Sequence, residues 1–154
     1  MIALIQRVRS ASLTINDQVH ASIDTGLLIF LGIHPQDTQF EADWIVRKCI
    51  RLRIFSDDQG RMNLSVQEIR GKILLVSQFT LYGNATRGNR PSFVDAAHPT
   101  LAEPLYDYVE QQLSHELGHR IASGIFGASM QVSLINDGPV TLWIERPPKT
   151  HLNP

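Results

Sequence analysis

The sequence predicts an α+β fold of antiparallel β-sheets with two main helices. Three observations carry this reading. Four segments of strand character, joined by tight turns, fill residues 2–33. Two later segments, about 38–50 and 101–117, space their apolar residues as helices do. The chain then closes on two apolar-rich strand-like runs, 130–135 and 140–145. Strands grouped apart from helices, without regular β-α alternation, give an α+β domain.

Residues 2–8 alternate in character and read as a strand carrying Arg7 near its end. Residues 11–15 read as a second strand, Asn16-Asp17 as a hairpin turn, and 19–23 as a third strand. After the turn Asp24-Thr25-Gly26, residues 26–33 are apolar on both faces, so a buried central strand is expected. Together these four strands are expected to form an antiparallel meander. Asp37 or Thr38 can cap the first helix, with Glu41 completing a capping box from Thr38. Residues 54–55 suggest a short strand, 56–60 a turn, and 62–66 an ambiguous segment. Residues 72–81 read as a strong buried strand that turns polar at its end. A long polar loop at 82–100 precedes the second helix. Loops of that length in a compact domain are usually functional or disordered. In the last pair of strands, Asn136-Asp137-Gly138-Pro139 spells a surface turn. The same residues can instead present the Gly138 and Pro139 carbonyls rigidly to a ligand, since the pair carries little side chain and Pro has no N–H.

At 154 residues the chain fits one domain, able to bury roughly two-thirds of its unfolded surface. Its 43% hydrophobic and 19% charged residues are those of an ordinary globular protein, and the net charge of −1 gives no overall signature for nucleic acid. The charge is uneven, however. Residues 47–90 carry Arg47, Lys48, Arg51, Arg53, Arg61, Arg70, Lys72, Arg87 and Arg90 against three acidic residues, and 91–145 reverse the balance. Such blocks are either solvated faces or a local field felt by a polyanion. Cys49 is the only cysteine, which excludes an internal disulfide and suits a reducing compartment. The N-terminal apolar run is too short for a signal peptide and no stretch approaches a membrane span, so a cytoplasmic protein with no membrane partner is expected.

Three stretches could carry chemistry. The first is Ser77-Gln78-Phe79-Thr80, hydrogen-bonding residues at the end of a buried strand. Its hydroxyls could be nucleophiles but have no adjacent base, and its backbone N–H groups could equally form an oxyanion site. The second, His115-Glu116-Leu117-Gly118-His119, matches the H-E-x-x-H zinc motif. A helix stop at Gly118 followed by Arg120 is the simpler reading, so no metal is expected. The third, Arg87 to Phe93, suits phosphate contact or a solvated loop.

Ser77-Gln78-Phe79-Thr80-Leu81 and Asn136-Asp137-Gly138-Pro139-Val140-Thr141 together resemble the two signature motifs of D-aminoacyl-tRNA deacylases. The opening Met1-Ile-Ala-Leu-Ile-Gln-Arg-Val with Arg7 is similar to the family's first strand. Arg53-Ile-Phe-Ser-Asp, Met62-Asn-Leu, Arg90-Pro-Ser-Phe and Met130-Gln-Val-Ser-Leu follow in the family's order. The resemblance spans a single domain, 1–145, and leaves 146–154 as a tail without a role. It implies a barrel-like core and a homodimer. The implied substrate is tRNA charged with a D-amino acid, or glycine, and no cofactor is implied.

By the resemblance, Ser77, Gln78, Phe79 and Thr80 form the catalytic site, and Gly138, Pro139, Arg7 and Met130 the chiral filter. The implied Gly138-Pro139 bond is cis and enters the partner subunit's pocket, with Arg7 orienting it. Its carbonyls would hold the substrate's α-amino group, so an L side chain would strike the backbone and a D side chain would point away. Thr80 is either the nucleophile or a backbone donor. The second is favoured because nothing beside it takes its proton, and an activated ester needs little beyond positioning, water and oxyanion stabilisation. Two rivals remain at this point: a zinc peptidase on His115, Glu116 and His119, and a dimeric binding module without activity.

Overall fold

The computed structural model describes residues 1–148, and the remainder of the expected tail lies outside the described residues. The chain runs β1 (Ile2–Ile15), β2 (Gln18–Ile23), β3 (Gly26–Gly32), α1 (Gln39–Arg51), β4 (Phe55–Ser56), β5 (Met62–Leu64), β6 (Lys72–Ser77), α2 (Pro99–Leu117), β7 (Ala122–Ser123) and β8 (Gln131–Glu145). A 3₁₀ helix at Phe79–Tyr82 follows β6. The six-stranded main sheet has the order β2-β1-β3-β6-β7, with β8 also on β1, while β4 and β5 form a small hairpin. The sheet curls into the nearly closed, barrel-like core with two main helices that was expected.

β1 organises the sheet. Its first half pairs with β3 and its second half with β2, while β8 runs antiparallel along nearly its whole length. Two strands were expected at 2–8 and 11–15; a single long one is found. Register shifts between Gln6 and Ser10 absorb the polar interruption without ending the strand. β1 therefore lies between β2 and β3, in place of a simple meander. Its three pairings are antiparallel, but β3–β6 and β6–β7 are parallel. The connection through α1 makes the parallel β3–β6 pair possible.

The central strand β3 is buried on both faces, as its sequence predicts. Leu27, Ile29 and Leu31 face a core shared with α1 and α2. Leu28 points the other way, into a smaller cluster with Val8, Leu13, Leu74 and Val76. Alternate side chains thus fill the barrel and the helix-covered layer, which is why no polar face appears in the sequence. Thr38 caps α1, and its N–H donates to Glu41 Oε2 at 2.9 Å, closing the expected capping box. Asn16 and Asp17 both take positive φ, matching a tight two-residue hairpin turn. α2 starts earlier than expected, at Pro99, with His98 as its cap. It buries Tyr106, whose hydroxyl donates to the Leu75 carbonyl at 2.9 Å.

Candidate active site

β6 ends at Ser77, and the expected continuation to residue 81 is instead the 3₁₀ helix at Phe79–Tyr82. The Gln78 N–H still donates to the Leu31 carbonyl at 2.8 Å, so β3 anchors the point where the chain turns. The first N–H groups of such a helix have no acceptor within it, leaving those of Phe79 and Thr80 available to a ligand.

A cavity of about 630 Å³ lies beside this turn. Ser77, Gln78 and Phe79 line it, together with Leu31, Ile33 and Val76. Phe93 and the start of α2 line it as well, as does the segment Phe126 to Val132, including Met130. The lining is mostly apolar with a few polar groups, the character of a small-molecule site. Two glycines permit the close packing around it. A Cβ on Gly83 would lie 2.9 Å from the Phe93 ring, and one on Gly124 would lie 2.6 Å from Met130 Sδ. Phe93 packs edge-on against Phe79, with ring centroids 5.2 Å apart. His98 also lines the cavity. Its Nδ1 accepts from the Thr100 N–H at 3.4 Å and lies 3.0 Å from the Thr100 hydroxyl, as part of the α2 cap.

Of the residues expected at the catalytic site, Ser77, Gln78 and Phe79 line the cavity, as does Met130 of the expected filter. Thr80 does not line it. Its hydroxyl is exposed and accepts a hydrogen bond from Gln78 Nε2. Phe93 and Phe126 were missed as cavity residues. Phe93 lies in a loop without periodicity, where its stretch reads as a phosphate contact and not as part of an apolar cavity.

The second expected motif is not a hairpin turn. β8 continues through it, and the register opens there: between Gln6↔Thr141 and Val8↔Asn136, Arg7 alone faces Asp137, Gly138, Pro139 and Val140. The excess residues form a bulge on β8. Asn136 secures its base, donating through Nδ2 to the Arg7 carbonyl at 3.1 Å and the Val140 carbonyl at 3.0 Å. That side-chain amide takes over from the interrupted ladder. The Gly138-Pro139 bond is cis, and both residues are exposed.

Arg7 holds the bulge from below and is itself only 8% exposed. Its Nε lies 2.9 Å from Asp137 Oδ2 and 3.2 Å from the Asp137 carbonyl, while Nη2 donates to the Gly138 carbonyl at 3.3 Å. Nη1 donates to the Ile54 carbonyl, tying the bulge to the segment after α1. Neither Arg7, Gly138 nor Pro139 lines the cavity of the same chain. The Gly138-Pro139 bulge and the cavity are therefore separate features of this chain.

The zinc motif is broken by the backbone. α2 ends at Leu117, and Gly118 takes a left-handed φ of 73° with its N–H on the His115 carbonyl. His119 thus lies beyond the helix on which the motif requires it. No group of three metal-ligating side chains occurs among the described residues. No helix among them is long and apolar enough to cross a membrane.

The family model described as D-Tyr-tRNA(Tyr) deacylase matches residues 4–145. A D-aminoacyl-tRNA deacylase of Cytophaga hutchinsonii is 53% identical over 145 residues, covering 94% of this chain and 97% of its own. One of Chlorobaculum parvum is 52% identical over 149 residues, covering 97% of this chain and 100% of its own. Among solved structures, that of the c-Myc DNA unwinding element binding protein superposes with a TM-score of 0.89 at 41% identity, covering 96% of this chain and 99% of that one.

Proposed function

This chain belongs to the D-Tyr-tRNA(Tyr) deacylase family, and from that premise we propose that it hydrolyses the ester of D-aminoacyl-tRNA to free D-amino acid and tRNA, sparing L-aminoacyl-tRNA. The observation that carries the finer reading is the divided site. The apolar cavity is lined without Gly138 or Pro139, an exposed pair on β8 whose Gly138 carbonyl Arg7 holds. A homodimer joins them, each subunit's Gly138-Pro139 bulge entering the partner's cavity.

β8 is suited to that interface. Among the described residues it pairs only with β1, and it exposes Ile135 (59%) and Trp143 (52%) on either side of the bulge. Exposed apolar side chains on an open strand edge favour association. The substrate's α-ammonium donates to the Gly138 and Pro139 carbonyls while its ester carbonyl lies against the Phe79 and Thr80 N–H groups. Met130 and the aromatic wall fill the remaining space. With amine, ester and Cα hydrogen fixed, a D side chain leaves the cavity and an L side chain meets the bulge. Discrimination comes from a clash and ignores side-chain identity.

Water then attacks the ester carbon. The oxyanion accepts hydrogen bonds from the two N–H groups, and the ribose oxygen departs with a proton. Donors aimed at such an oxyanion are each worth about 2.7–4 kcal/mol of barrier. The Thr80 side chain holds the Gln78 amide and takes no covalent part. Glycine has no side chain to reject, so glycyl-tRNA is a further substrate. The reaction clears tRNA for translation and belongs in the cytoplasm.

The experiment is deacylation of matched D- and L-tyrosyl-tRNA and glycyl-tRNA by purified protein, with and without EDTA. Release from the D and glycyl esters alone, unchanged by chelator, is expected. Equal cleavage of the L ester would overturn the filter, and no cleavage above the blank would overturn the activity.

A further inference from the structure

Away from the cavity, the C-terminal end of α1 and the segment after it form a groove of about 380 Å³ lined by Trp44, Arg47, Lys48, Arg51, Leu52 and Arg53. It holds four cations and no carboxylate. All four are exposed, and none takes part in an ion pair among the described residues. Lys48 and Arg51 complement the negative end of the α1 dipole. That accounts for two charges; Arg53 also faces the Glu68 carboxylate, whose pKa it helps to lower, which leaves Arg47 unexplained. Arg53 is also pre-set, donating from Nε to the Asn63 carbonyl at 2.8 Å and from Nη2 to Asn63 Oδ1 at 3.0 Å. Lys48 lies 5.4 Å from the centroid of Trp44, and the Arg146 guanidinium approaches the same ring at 5.6 Å. A clustered field of this kind attracts a polyanion even on a chain of near-zero net charge.

Its position gives it a partner. Arg53 adjoins Ile54, whose carbonyl accepts from the same Arg7 guanidinium that holds the Gly138 carbonyl. The groove therefore begins one residue from the bracket of the Gly138-Pro139 bulge. We propose that the α1 groove binds the phosphate backbone of the tRNA whose ester faces that bulge, gripping it next to its acceptor end. The side chains supply point charges to successive phosphates, which positions the nucleic acid without reading its sequence. The choice of tRNA as the polyanion rests on the deacylase reading above.

The test compares wild type with R47A/K48A/R51A, using uncharged tRNA as the binding probe across a salt series. The Kd of the variant is expected to rise by roughly tenfold or more at low salt, with the slope of log K against log salt smaller by about 2–3. R47K/R51K, which keeps the charges, is expected to bind within about threefold of wild type because phosphates accept point charges. Matching thermal unfolding of the variants separates binding from folding. In parallel, wild type is given the D-tyrosyl ester of adenosine, which has no phosphates. Its cleavage reports on the deacylase reading alone. Loss of tRNA affinity with the reduced slope supports the groove whether or not that ester is cleaved. An unchanged Kd and slope in the triple variant overturns it even where the ester is cleaved.

Discussion

Arg7 and Gly138, 131 positions apart in the chain, are joined by a hydrogen bond of 3.3 Å from a buried guanidinium to the backbone carbonyl of an exposed glycine. With its bonds to Asp137 and Ile54, the guanidinium fixes the bulge by its planar fork, which no other side chain reproduces. Lysine offers one charge and loses the simultaneous bonds. Arg7→Lys is expected to destabilise the fold by about 2–4 kcal/mol, toward the lower end because Asp137 is partly exposed. D-aminoacyl-tRNA turnover should fall at least tenfold. Urea unfolding and deacylation rates check both, and a Lys variant with wild-type activity would show that the bracket is dispensable.

Gly138→Ala separates the filter from the fold. A Cβ there meets nothing nearer than Asn136 Oδ1 at 3.7 Å, an ordinary contact. The melting temperature should change by only a few degrees. In the proposed composite site that methyl would stand where the substrate's amine and Cα lie, so D-ester hydrolysis should drop by about two orders of magnitude, as displacements near 1 Å do. Retained activity would remove Gly138 from the site.

Thr80→Val tests the backbone reading. The substitution removes the acceptor for Gln78 Nε2 at an exposed position and leaves the Thr80 N–H in place. Deacylation should stay within about tenfold of wild type, since one neutral hydrogen bond contributes about 0.5–1.5 kcal/mol. Abolished turnover with intact folding would make the hydroxyl the nucleophile.

Cys49 is 1% exposed, and burial pushes its thiol up to about 12. The thiolate is the reactive form, so the folded protein should resist disulfide reagents at pH 8 while the urea-unfolded chain reacts promptly. Above the ordinary thiol value the unfolded state ionises first. Stability from this group is therefore present at neutral pH and declines as pH rises toward about 12. Prompt labelling of the native protein would contradict the packing around α1.

Elements with a local cause were legible in the sequence. The Thr38-Glu41 capping box, the Asn16-Asp17 turn and the doubly buried β3 each follow from residues within a few positions. What the sequence left hidden depends on partners far away. Residues 136–139 have turn composition, yet β1 keeps them in a strand because Arg7 and Asn136 replace the missing ladder bonds. The polar end of β6 reads as more strand, but Gln78 is bonded to β3 and the chain turns there. The parallel pairing of β3 with β6 is likewise set by the path through α1, which periodicity does not encode. At the candidate site, both motifs were visible, while Phe93 and Phe126 come together only through the loop and the segment before β8.

The most direct measurement uses co-assembled dimers of two inactive subunits. Phe79→Pro deletes the rim N–H at the start of the 3₁₀ helix, a position that tolerates proline, and leaves the bulge intact. Gly138→Ala leaves the cavity intact and alters the bulge. A site shared between subunits gives the mixed dimer one whole site, the cavity of the Gly138→Ala subunit with the bulge of the Phe79→Pro subunit. Its D-tyrosyl-tRNA deacylation should recover to about half the wild-type rate per dimer while both parent homodimers remain inactive. A mixed dimer as inactive as its parents would contradict the shared site.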